Sequence, residues 1–120
     1  MAIVERHKSS SELPDLIVDV TENDWSIGFD GGTWHTHGDI LGAWGYSGSQ
    51  AEATRLFVDD ILASRRQIIV TRMHGKIIGL DVPTEHQVDP REIAEDIRKY
   101  APPGETAEIW YWNGQKSVIE

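Results

Sequence analysis

Residues 25–37 read Trp25-Ser26-Ile27-Gly28-Phe29-Asp30-Gly31-Gly32-Thr33-Trp34-His35-Thr36-His37. Apolar and small residues alternate through Phe29, Asp30-Gly31-Gly32 supplies a turn, and alternation resumes from Thr33 to His37, which together describe a β-hairpin. A two-residue turn, at either Asp30-Gly31 or Gly31-Gly32, sets Trp34 on the same face as Trp25, Ile27 and Phe29. His35 and His37 then share the other face with Ser26 and with Gly28, whose missing side chain leaves room for an imidazole or an approaching partner. One further turn residue would reverse that parity.

Working outward, Leu16-Ile17-Val18-Asp19-Val20 reads as a preceding strand. From Ser49 the period becomes helical: Ala53, Leu56, Phe57, Ile61 and Leu62 lie on one stripe, and Ser49 with Glu52 forms a capping box. Arg65 and Arg66 suit the negative end of that helix dipole. Gln67 to Met73 and Lys76 to Val82 flank His74-Gly75 as a second hairpin. Asp89-Pro90-Arg91-Glu92 opens a second helix, with an apolar stripe of Ile93, Ala94, Ile97 and Tyr100 that Pro102-Pro103-Gly104 ends. Ala107 to Trp112 and Gln115 to Ile119, joined by Asn113-Gly114, make a third hairpin. The expected order is βββαββαββ. Hairpins separated by helices disfavour a parallel sheet, which needs crossovers. The expected class is therefore α+β: a mainly antiparallel sheet built from three hairpins, with two helices packed on one face, in a single domain of residues 1–120.

Several functions are excluded or made unattractive by composition. The 120 residues contain no cysteine, which removes disulfides and thiolate metal sites. The N-terminal MAIVERHKSSSELP has charges where a signal peptide has its apolar region, and no segment is long and apolar enough to span a membrane, so a cytoplasmic protein is expected. A net charge of −9 argues against nucleic acid. The charge is also uneven. Between Lys8 and Arg55 there is no Lys or Arg, while Glu12, Asp15, Asp19, Glu22, Asp24, Asp30, Asp39 and Glu52 all fall in that window. Such a field favours fast, salt-sensitive association with a basic protein.

Thr33 to Asp39, TWHTHGD, also poses the question of a metal. The segment resembles the start of the metallo-β-lactamase motif HxHxDH, with His35, His37 and Asp39 matching and Ile40 in the place of the last histidine. It is similar as well to JAMM-type zinc proteases, but Gly38 replaces their proline, Glu52 stands where an aspartate is expected, and no upstream glutamate offers a general base. The metal alternative, a small zinc-dependent hydrolase, would use His35, His37 and Asp39. No nucleophile elbow or phosphate cradle is present, so no catalytic residues are assigned and no cofactor is expected.

Between the hairpin and the first helix, Asp39 to Ser49 (DILGAWGYSGS) sets Trp44 and Tyr46 among glycines and serines. Such aromatics either plug one end of the sheet or serve as binding anchors, Trp44 holding the loop and Tyr46 facing out. Trp110 and Trp112 share a strand face and suit a wall under a helix. In overall character, and in the strand-helix pattern from TWHTHGD to Val58-Asp59-Asp60-Ile61-Leu62, the chain resembles small acidic bacterial immunity proteins. That resemblance implies inhibition of a basic toxin encoded nearby by occlusion, with Asp30 and Asp39 pairing with its Lys and Arg. Trp34, Trp44 or Tyr46 would fill a groove beside His35 and His37. Exposed strand edges leave a homodimer open as a further expectation.

Overall fold

The computed structural model describes residues 2–32, 34–84 and 87–119. Thr33, expected to begin a strand, and His86 lie outside them. Among the described residues the fold is α+β, with two antiparallel four-stranded sheets and three helices. Strands β1 (Ala2–His7), β2 (Leu16–Thr21), β3 (Asp24–Phe29) and β4 (His35–His37) form the first sheet in sequence order. A 3-10 helix (Gly38–Trp44) and α1 (Gln50–Leu62) follow. The second sheet contains β5 (Ile68–Met73), β6 (Lys76–Asp81), β7 (Glu105–Trp110) and β8 (Lys116–Ile119) in the order β6-β5-β7-β8, with α2 (Pro90–Tyr100) between β6 and β7 in the chain. Among the described residues no helix is long and apolar enough to cross a membrane.

Local chemistry accounts for most boundaries. Ser49 caps α1 as expected: its hydroxyl accepts from Glu52 N at 3.1 Å, and the Glu52 carboxylate accepts from Ser49 N at 3.1 Å. Asp89 caps α2 by accepting from Arg91 N at 2.9 Å, with Pro90 in the first helical position, where no N–H partner is needed. His74 and Gly75 both have positive φ, 51° and 84°, the backbone of a tight two-residue hairpin loop. The last hairpin differs from the expected two-residue turn. Tyr111 N donates to Gln115 O and Gly114 has φ 92°, so residues 112–114 form a three-residue loop and Trp112 lies in it rather than in the strand.

Two features of the architecture go beyond the sequence reading. An additional strand, β1, pairs with β2. Its inward positions hold Glu5 and His7, opposite Val18 and Leu16, which breaks the apolar alternation that marks a strand. These polar groups satisfy one another: Glu5 accepts from His7 at 2.8 Å and from Arg55 of α1.

Second, the strands divide into two sheets instead of one, and the helices do not share a face. The reason is β5, which is apolar on both sides. Ile68 and Val70 point inward with Trp110, into one buried cluster with Leu16, Val18, Ile27 and Phe29 of the first sheet and Phe57, Val58 and Ile61 of α1. Ile69 and its neighbour Ile109 point the other way and need their own cover. Ile93 and Ile97 of α2 provide it, bordering Ile69 and Ala107 across a shallow groove. The α1 layer therefore belongs to the shared core, and α2 to the opposite face of the second sheet.

Candidate partner-binding face

The β3–β4 register is Ser26 opposite His37, Ile27 opposite Thr36 and Gly28 opposite His35. This register keeps the parity of a two-residue turn and sends Trp34 toward the core beside Phe29, with ring centroids 5.9 Å apart; the hydrogen-bonded turn itself has Asp30-Gly31 at its centre, Gly32 N donating to Phe29 O at 3.0 Å. His35 and His37 share the outer face. The rings meet edge to face, 5.1 Å between centroids. A Cβ added at Gly28 would lie 3.2 Å from the His35 Cβ and 2.9 Å from the Trp34 carbonyl oxygen, so glycine is what lets the β4 backbone and this imidazole sit so close.

Strand pairing adds carboxylates to that face. Asp19 lies opposite Ser26, and Asp24 closes the β2–β3 hairpin opposite Thr21. Asp24 Oδ1 is 3.1 Å from His37 Nδ1, and Ser26 Oγ is 3.3 Å from the same nitrogen. At the other end Asp30 accepts from Arg6 at 2.9 Å, and Asp15 accepts from the same guanidinium at 3.1 Å. Arg6 is the only Lys or Arg in the four strands, and these two carboxylates already engage it. Among the described residues, the concavity over this face is lined only by β2, β3, β4 and the segment from Asp30 to Gly32 with Trp34. It is a wide, shallow, acidic surface with two imidazoles at one edge.

The expected site does not come together as one patch. Asp30, His35 and His37 lie on the outer face, and Asp39 is exposed in the first turn of the 3-10 helix. Trp34, Trp44 and Tyr46 point into the core instead, all around Phe57, at centroid distances of 6.5, 5.8 and 5.5 Å. Tyr46 is only 6% exposed, so it does not face out. Its hydroxyl donates to Asp60 at 2.6 Å and accepts from Arg66 Nη1 at 3.3 Å. Burial and the Asp60 carboxylate push its phenol up to about 12. Trp34 and Trp44 keep one edge accessible, lining a second groove with Val82, Pro83 and Val88.

Arg66 corrects a further expectation. It does not sit at the surface end of α1 but is fully buried, its guanidinium 5.4 Å from the Phe57 centroid and 5.8 Å from that of Tyr46. Nη2 donates to the Pro83 carbonyl, and Nε has no hydrogen-bond partner among the described residues. Arg65 takes the surface role, donating to Asp60 at 2.6 Å.

The hydrolase alternative loses its ligand set. Asp39 leaves the strand direction as the 3-10 helix begins, and no group of three His, Asp or Glu side chains among the described residues is placed to hold a metal ion. Conversely, Asp19 and Asp24 belong to the outer face although the sequence reading did not single them out. Their signal was present: Asp24 stands two residues before Ser26 and so shares its face.

Comparison of the chain with protein-family models, with curated proteins and with solved structures finds no match.

Proposed function

We propose that this protein is an acidic binding protein that inhibits a basic partner, as an immunity protein neutralising a cognate bacterial toxin by occlusion. The observation that carries the reading is the open outer face of the first sheet, where Asp19 and Asp24 share the surface with the two histidines, Asp30 stands at its other end and Arg6 is already engaged. A surface of one charge sign steers an oppositely charged partner toward it and penalises wrong ones. Relative to the sequence reading the contact set changes. Asp19 and Asp24 join Asp30, His35 and His37, while Tyr46 acts inside the protein, as a support for α1. Asp39 extends the acidic surface past β4, and the accessible edges of Trp34 and Trp44 offer apolar contact at a separate groove.

The test is co-expression with the product of the neighbouring gene, followed by co-purification and a toxicity assay. The expected result is a tight complex and protection, with association slowing as salt rises. Asp19→Lys/Asp24→Lys is expected to slow association by about tenfold or more, the lower end of what electrostatic steering contributes. No complex and no protection, or a complex indifferent both to salt and to this double substitution, would reject the reading.

A further inference from the structure

We propose that His35 and His37 form a two-imidazole site for a borderline divalent transition-metal ion, copper, nickel or zinc, on the open face of the first sheet. The site differs from the hydrolase alternative, which needs Asp39 and a general base. It needs only the two histidines, and it stands whether or not the face binds a basic protein.

Three observations converge on it. Alternation along β4 puts both rings on one side, 5.1 Å between centroids at an interplanar angle of 82°. Zinc–nitrogen bonds are about 2.0–2.1 Å, so two nitrogens on one ion are separated by roughly 3–4 Å, a spacing within reach of two side chains this close once the rings turn from edge-to-face to aim their nitrogens at one ion. The second observation is the tautomer. The Asp24 carboxylate, 3.1 Å from His37 Nδ1, can only accept, so this contact favours the neutral tautomer with its proton on Nδ1, which leaves Nε2 as the donor atom for a metal. A carboxylate behind a histidine is the arrangement that orients imidazole for a metal and raises its basicity. Third, the remaining groups on the face favour a cation: Asp19 and Asp24 are acidic, and the nearest strand cation, Arg6, is tied to Asp15 and Asp30. Imidazole donors select copper, nickel and zinc over magnesium or calcium, which prefer oxygen. With two protein ligands, the other coordination positions stay open to water or to a donor from another molecule.

The experiment is calorimetric titration of the untagged full chain with copper(II), nickel(II) and zinc(II), with circular dichroism to confirm that each variant is folded. One ion per chain is expected, copper binding most tightly. His35→Ala and His37→Ala should each weaken binding by about a hundredfold, since each removes the advantage of a second, tethered ligand. Asp24→Asn should weaken it by about tenfold while leaving both ligands in place. His7→Ala and His74→Ala should leave it unchanged. Binding that survives in His35→Ala/His37→Ala, binding lost instead in His7→Ala or His74→Ala, or wild-type heats no larger than those of the double variant would each overturn the proposal.

Discussion

Replacing Phe57 by alanine tests the packing of this protein most directly. Phe57 is completely buried and is the common neighbour of Trp34, Trp44 and Tyr46, with the Arg66 guanidinium over its ring. Truncating a buried phenylalanine costs about 3–5 kcal/mol from lost transfer energy and the cavity left behind. The site belongs at the upper end, because aromatic pairs add about 0.5–1.5 kcal/mol each beyond area and the cation over the ring adds about 0.5–2. A loss of about 4–5 kcal/mol is expected, a large part of the ~5–15 kcal/mol that holds a typical domain together. For a chain of this length it corresponds to a fall in Tm of about 15–20 °C. Urea unfolding followed by tryptophan fluorescence and by far-ultraviolet circular dichroism measures it. Phe57→Leu should recover about half of the loss. A cost below about 2 kcal/mol, or leucine no better than alanine, would refute the view that one ring organises the three aromatics.

Other expectations follow from single contacts. Tyr46→Phe should cost about 1–3 kcal/mol, since it leaves Asp60 and Arg66 without their shared hydroxyl, and should delete a phenol ionising near 12 from an alkaline absorbance titration. Ser49→Ala should cost about 1 kcal/mol through the lost cap of α1, read by thermal unfolding. Glu108 supplies a pH dependence. Burial opposes its ionisation, but hydrogen bonds from Trp110 Nε1 at 3.0 Å and Arg72 Nε at 2.8 Å overcome this and hold its carboxyl below the ordinary 4.5. A depressed carboxyl stabilises the fold above its unfolded value and loses that contribution as pH falls through the folded one. Glu108→Gln should therefore be less stable than wild type at neutral pH, the gap closing progressively below about pH 4.5. A gap that stays constant down to pH 2, on the order of the lower limit at which carboxylates titrate, would contradict the assignment.

What the sequence made legible was local. The turns at Asp30-Gly31 and His74-Gly75, the capping box of α1 and the Asp89-Pro90 start of α2 rest on backbone and capping chemistry that acts within a few residues. The outward placement of His35 and His37 followed from strand parity for the same reason. What failed depended on distant partners. Glu5 and His7 hide β1 because their compensation comes from Arg55, far along the chain. Arg66 reads as a surface cation unless one knows that Tyr46, Phe57 and the Pro83 carbonyl enclose it. Tyr46 reads as a binding anchor because glycine and serine surround it, yet its hydroxyl has Asp60 to bond inside. The split into two sheets was foreshadowed by the uninterrupted Ile68-Ile69-Val70, whose lack of alternation demands cover on both sides.

The two strand orders also bear on how the chain acquires its structure. The first sheet runs β1-β2-β3-β4, so every pairing joins neighbours in the chain, whereas β7 must find β5 across the whole of β6 and α2. Local pairings close quickly and distant ones slowly. During synthesis the first sheet and α1 are complete before β7 exists, and Phe57, Val58 and Ile61 then lack the Trp110 wall that shares their core. The interval before β7 docks is when this apolar surface is most open to aggregation. Substitutions at the β5–β7 seam should accordingly lower soluble yield more than their effect on the finished protein's stability would suggest.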